Sequence, residues 1–205
     1  MTTATGEPPR PSPSAHPYHH GDLRHALVEA AALAISESGS AALSLRDLSR
    51  KVGVSHAAPT HHFGNKTGLL TAVAAEGYRR LQGRLETAYR ERRSFVDVGA
   101  AYVRFAVDER PYFEVMFRPD LYTSDDPELL EPRRAIDRDV FGAVRAMLGD
   151  VPEERVQTAG VAAWALVHGL ATLINTGNLP AEITADPEAL TRAVGSAIFG
   201  STRRA

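Results

Sequence analysis

The sequence predicts an all-α protein, and three observations carry that prediction. Apolar residues recur at three- and four-residue intervals along most of the chain beyond residue 18. No stretch alternates apolar and polar side chains as a half-buried strand requires. Residues 44–63 hold two short helical patterns around Gly53, the spacing of a helix-turn-helix. The expected architecture is an N-terminal three-helix head bearing that motif, followed by a larger helical body.

Composition narrows the function classes. With 205 residues, 43% of them hydrophobic, the chain can bury a proper core. It has no cysteine, which removes disulfides, thiolate metal sites and thiol nucleophiles, and a cytoplasmic protein is the simplest reading. The net charge of -2 looks wrong for a nucleic-acid binder until it is divided: up to Lys66 there are six Lys or Arg against five Asp or Glu, and beyond it seventeen against twenty. Seven of the eight histidines also lie in the first 62 residues, where protonation beside phosphates would make that end basic.

Residues 1–17, rich in Pro, Ser and Thr, predict a disordered arm without the apolar segment of a signal peptide; Arg10 and His16 are its groups able to touch DNA. Residues 21–38 form the first helix, with Leu23, Ala26, Leu27, Ala30, Ala31, Ala34 and Ile35 inward and Gly39 as its stop. Ser44 is an N-cap, Asp47 completes a short capping box, and Leu45, Leu48 and Val52 give the second helix one buried face. Gly53 supplies the turn, and Ser55 is expected to cap a third helix running to Phe63. Such a helix fits the DNA major groove. His56, Thr60, His61 and His62 offer donors, Ala57 is small enough to approach a thymine methyl, and Lys66 offers a phosphate contact. Pro59 is tolerable only in the first turn. The competing reading is a helical hairpin that belongs to a core. Adjacent histidines, His19–His20 and His61–His62, point about 100° apart on a helix and do not share an ion, so no metal and no cofactor is expected.

Thr67 is expected to cap a long helix, residues 67–93, that leaves the head and enters the body as a lever. Residues 94–110 follow as an amphipathic helix with Phe95, Val98, Ala101, Tyr102, Phe105 and Ala106 inward, stopped by Pro111. An aromatic segment spans residues 111–122, and a polar-rich helix spans 127–148. Asp125, Asp126 and Glu128 read as a charged loop capping that helix. Residues 152–175 are the most apolar stretch, yet Gln157, Thr158, His168 and Thr172 predict a helix covered by protein instead of a membrane span. One of its faces should meet its own body and the other a second subunit, with residues 186–199 as companion helix. Trp164 and His168 share a face. One reading makes them walls of a small-molecule cavity together with Tyr102, Phe105, Tyr112, Phe113, Met116 and Phe117; the other makes Trp164 core and His168 a satisfied core histidine. No Gly-rich phosphate loop or HExxH pattern is present, and nothing calls for an enzyme.

From Tyr18 to about Leu81 the chain, with YHHGDLRHALVEAAALAISESG and LSLRDLSRKVGVSHAAPTHHFGNKTGLLTAVAAEGY, resembles the N-terminal DNA-binding domain of the TetR/AcrR family of bacterial transcriptional regulators. The resemblance implies a DNA-binding domain over residues 18–81, with its helix-turn-helix at 44–63, and a ligand-binding and dimerisation domain over 82–205. Carried over position by position, it places Arg46, His56 and Ala57 at bases and Ser44, Thr60, His62 and Lys66 at phosphates; Ser55 and His61 complete the expected DNA-binding set. Thr60 departs from the family, which usually has a tyrosine there: it keeps a hydroxyl for the phosphate but loses the reach and the ring. The W-x-x-x-H-G pattern of Trp164, His168 and Gly169 resembles the C-terminal domain of one TetR subgroup. The implied function is a homodimeric repressor that binds a palindromic operator and is released by an apolar or aromatic effector. The alternative is an all-helical small-molecule carrier that has lost operator binding.

Overall fold

The computed structural model describes residues 20–92 and 94–199. The arm expected over residues 1–17, with Arg10 and His16, and the domain start at Tyr18 and His19 lie outside them. The head consists of α1 (His20–Ser38), a 3-10 turn (Ser40–Ala42), α2 (Leu45–Val52) and α3 (Ala58–Phe63). Then come α4 (Lys66–Arg92), α5 (Phe95–Asp108), α6 (Arg110–Met116), α7 (Pro127–Leu148), α8 (Glu153–Asn175), the short α9 (Ala181–Thr184) and α10 (Pro187–Phe199). The described residues are all-α and contain no strand, as expected.

Local chemistry sets most helix ends. The Ser44 hydroxyl accepts from the Asp47 amide at 3.4 Å, Ser94 does the same for Asp97, and Asp126 accepts from the Glu128 amide at 2.9 Å. Gly53, at φ 76°, ends α2 in the left-handed conformation while its amide and that of Val54 both reach the Ser49 carbonyl. Two caps differ from expectation. Asn65 caps α4, its Oδ1 accepting from the Gly68 amide at 3.0 Å, so the helix starts before Thr67. Ser55 contributes only its carbonyl, to the Ala58 amide, and α3 begins after Ala57 with no side-chain cap. Pro59 then falls in the first turn, where its missing N–H has no partner to lose. Pro111 likewise begins α6 as well as ending α5, because a fixed φ suits a helix start.

Head and body share one continuous core. Leu27, Ala31 and Ile35 of α1 meet Leu48 of α2 and Leu69, Leu70 and Val73 of α4, and the same cluster runs on through Leu81, Val103, Phe105, Met116 and Leu129. α4 is the spine, packing against α1, α3, α5, α6 and α7. α8 packs on α5 and α7, and α10 on α5. Glycines allow these approaches: Gly99 faces Val167, Gly195 faces Val96, and a Cβ at Gly160 would collide with the Phe141 ring. Gly160 therefore serves contacts inside the protomer, whereas Gly169 has open space beside it.

α8 is long and apolar enough to cross a membrane by composition alone, but Val156, Gly160, Ala163 and Ala171 are buried against its own body. Val161, Trp164 and Leu173 of α8 are nevertheless exposed, as is Ile198 of α10. Trp164 is 49% exposed, which overturns the reading of it as core.

Gly68 seats α3 on α4. An added Cβ would overlap the carbonyl oxygen of Phe63, a backbone atom at the end of α3 that has no rotamer in which to yield. Gly68→Ala should therefore destabilise the protein by about 1–3 kcal/mol in chemical denaturation followed by circular dichroism. Gly83→Ala, in the same helix with nothing nearby, should stabilise it by about 0.5–1 kcal/mol.

Candidate functional site

The helix-turn-helix presents a polar surface. Ser55, His56, Ala57, Thr60 and His61 are exposed, while Ser44, His62 and Lys66 are half-buried. His56 and Ala57 stand in the turn before α3 and not on the helix itself, and buried Pro59 anchors its inner side. The cations of this surface differ. Arg50 pairs with Asp47 at 2.8 Å and Lys51 with Glu37 at 2.6 Å. Lys66 Nζ donates to the Ala41 carbonyl at 2.7 Å, tying the start of α4 to the 3-10 turn. Arg46, exposed on the first turn of α2, forms no hydrogen bond or ion pair among the described residues. It is thus the guanidinium of α2 with all its donors available.

The head is tied to the body by more than α4, which corrects the expectation of a single lever. Arg80 of α4 pairs with Glu29 of α1, with Glu76 at 2.9 Å and with Glu109, between α5 and α6, at 3.2 Å. Its guanidinium lies over the Tyr112 ring, 4.5 Å from the centroid, and the Tyr112 hydroxyl donates to Glu29 Oε1 at 2.9 Å. Glu128 of α7 joins Arg24 of α1 to Arg79 of α4 at 2.6 and 2.7 Å. Burial alone would raise the Glu76 carboxyl, but the hydrogen bond from Arg80 and the charges of Arg79 and Arg80 outweigh it and hold it below the ordinary range. His25, Glu29 and Glu76 bring three potential ligand atoms together, yet both carboxylates already hold the Arg80 cation.

The body encloses a cavity of 340 Å³ between α4, α5, α7, α8, α10 and the segment after α6. Of the expected lining residues, Tyr102, Met116, Phe117 and Trp164 face it. The other four do not. Phe105 is fully buried beneath the Arg84 guanidinium, and Tyr112 belongs to the head-body junction. Phe113 stands behind the wall, 4.9 Å from the Phe117 ring and 5.3 Å from His168. His168 supports the wall: its Nδ1 lies 3.0 Å from the Tyr102 hydroxyl and its ring 4.5 Å from Phe117. Burial pushes the His168 imidazole below its usual pKa, which favours the neutral ring, and burial pushes the Tyr102 phenol up. So His168 positions Tyr102.

Sequence reasoning missed the contributions of α4 and α7, namely Tyr78, Leu81 and Leu85, and Arg133, Ile136, Asp137 and Val140. The signal was there on α7, where Leu129, Ile136 and Val140 recur at helical spacing beneath a polar average. The arrangement offers a partly open apolar volume with a few polar groups, suited to holding a small molecule.

Comparisons agree with this architecture. Residues 27–73 match the bacterial regulatory proteins of the tetR family, and residues 95–197 match the tetracyclin repressor-like C-terminal domain. A protein of unknown function from Rhodococcus sp. RHA1 is 30% identical, with a TM-score of 0.75 over 91% of this chain and 98% of that one. The TetR family transcriptional regulator PfmR from Thermus thermophilus superposes with a TM-score of 0.64 at 23% identity, over 84% of this chain and 96% of its own. NalD, the secondary repressor of the MexAB-OprM multidrug efflux pump in Pseudomonas aeruginosa, reaches 0.56 at 20% identity, over 87% and 94%. No curated protein matches the chain. With a head and a body that each match the same family over consecutive stretches, this chain belongs to the TetR family of DNA-binding transcriptional regulators.

Proposed function

We propose that this regulator is a cytoplasmic homodimeric repressor whose operator affinity falls when an effector enters the body cavity. One observation carries the reading: α6 has Met116, at the cavity wall, and Tyr112, hydrogen-bonded to Glu29 of the head, on one short rigid helix. A molecule that displaces Met116 therefore pulls on α1 without acting through α4 alone. The effector releases DNA by binding the DNA-incompetent arrangement more tightly, and a hundredfold preference supplies about 2.7 kcal/mol per site. The apolar residues left exposed on α8 and α10 support a second copy as their cover, giving two heads for a palindromic operator with half-sites about 34 Å, or a multiple of it, apart. The domain division at residues 81–82 falls inside α4, so we assign α4 to both units.

In this reading Arg46, His56 and Ala57 meet bases, Ser44, Thr60, His62 and Lys66 meet phosphates, and Ser55 and His61 border them. The free guanidinium of Arg46 supports a base contact, because a fork with unspent donors can bind guanine in a bidentate manner. Thr60, exposed on α3, keeps a hydroxyl for the backbone in place of the usual ring. The rival reading, a carrier that has lost its operator, draws on that same residue.

Fluorescence anisotropy with the chain's own upstream DNA, at low and high salt, separates the two; a carrier shows no preference over random DNA. Arg46→Ala should cost about 1–3 kcal/mol on the operator and relax one base position. Lys66→Ala should weaken binding to all sequences and flatten the salt slope by about one unit. Equal effects of both variants on operator and random DNA would refute this division.

Tyr112→Phe removes the bond to Glu29 and leaves the cavity wall in place. Effector binding should persist, while the ratio of operator affinities without and with effector shrinks by severalfold, within the 1–3 kcal/mol or so that couples such sites. An unchanged ratio would remove α6 from the coupling.

A further inference from the structure

The body cavity carries its charge at one end. Arg133 and Asp137, one turn apart on α7, are the charged residues of its lining. Glu128, at the start of α7, bonds Arg79 of α4 at 2.7 Å and Arg133 acts electrostatically on the phenols of Tyr78 and Tyr122, whereas farther along both helices burial and the charge of Glu86 on α4 raise the Asp139 carboxyl on α7. The two helices therefore run in the same direction beside the cavity. Two turns on from Tyr78 and Arg133 the lining is Leu85, Val140 and Phe141, and Phe95 and Phe199, which meet edge to face at 6.0 Å, belong to the same apolar lining. On α8 the lining extends from Gly160 to Leu170, about 15 Å of helix. The space is thus a long slot, polar at one end and apolar at the other.

Unpaired donors are scarce in the lining. Tyr78 and Tyr122 both donate to the Met116 carbonyl, at 3.2 and 2.7 Å, Thr191 donates to the Pro187 carbonyl at 2.7 Å, and the Tyr102 hydroxyl is paired with His168. Arg133 has no hydrogen bond or ion pair among the described residues. Its guanidinium offers a planar fork that matches a carboxylate in a bidentate manner. Asp137 opposes an anion, but of the two charges Arg133 is the stronger at Tyr78 and the one felt at Tyr122.

We propose that the cavity takes an elongated amphipathic monoanion, with its carboxylate on Arg133 and its hydrocarbon tail running between Leu85 and Phe141. This rests on the cavity being the effector site. It narrows the effector from any apolar molecule to one with an anionic head, held at the mouth beside an exposed arginine.

Trp164, the single tryptophan of the chain, stands in the cavity wall and reports occupancy by its emission. The full-length protein is titrated with decanoate, 1-decanol and decyltrimethylammonium, all below their micelle concentrations, with calorimetry in parallel. Decanoate should bind about tenfold or more tighter than decanol. Arg133→Gln should erase that difference with decanol binding unchanged, and Asp137→Asn should strengthen decanoate binding. Decanol binding as tightly as decanoate, or the ammonium binding more tightly, overturns the carboxylate assignment and leaves the cavity as effector site. Failure of all three to bind a protein that circular dichroism shows folded overturns both.

Discussion

The arrangement of head on body depends on the place where Arg80 meets carboxylates from three parts of the chain. Glu29 comes from α1, Glu76 from α4 and Glu109 from the corner between α5 and α6, so one guanidinium holds the head, the spine and the body together. A single partly buried ion pair contributes little net stability, because desolvation offsets attraction. Here the geometry matters more than the sum. Removing Arg80 leaves carboxylates from α1, α4 and the α5–α6 corner facing one another without their shared cation, so the network specifies one relative position of α1, α4 and α6. The Tyr112 ring beneath the guanidinium and its hydroxyl on Glu29 add direction to what would otherwise be a set of point charges.

That junction sits directly behind the cavity. Gly77 lets Met116 and Tyr112 approach α4 closely enough that a Cβ there would strike the Met116 sulfur. Tyr78, the next residue, donates to the Met116 carbonyl and lines the cavity. The contents of the cavity and the position of the head are therefore separated by one layer of side chains. Because interiors are close-packed, a displacement on one side of such a layer is passed on instead of absorbed.

The cavity wall is in part open to solvent. Val161 and Trp164 of α8 both line it and are both about half exposed. Supporting residues stand behind them: His168 holds Tyr102, and Phe113 backs Phe117. Aromatic residues near a cavity are thus of two kinds, those that face it and those that stiffen the wall.

Much of this was legible in the sequence, because it depends on local chemistry. Ser44, Ser94 and Asp126 cap helices through amides two or three residues away, and Gly53 turns the chain because it lacks a Cβ. Such interactions are decided within one turn, and residue order alone determined the helices, the helix-turn-helix and the family. The caps at Ser55 and Thr67 were misread because Asn65 and the Ala57 turn offered equivalent local solutions, and only packing chooses between those. The cavity lining was half legible: spacing identifies which residues share a helical face, as with Trp164 and His168, but not which neighbour covers that face. Whether Tyr112 meets a ligand or Glu29, and whether Arg133 meets a carboxylate or open space, depends on residues distant along the chain. Those contacts exist only once the helices cross, so the tertiary structure decided them.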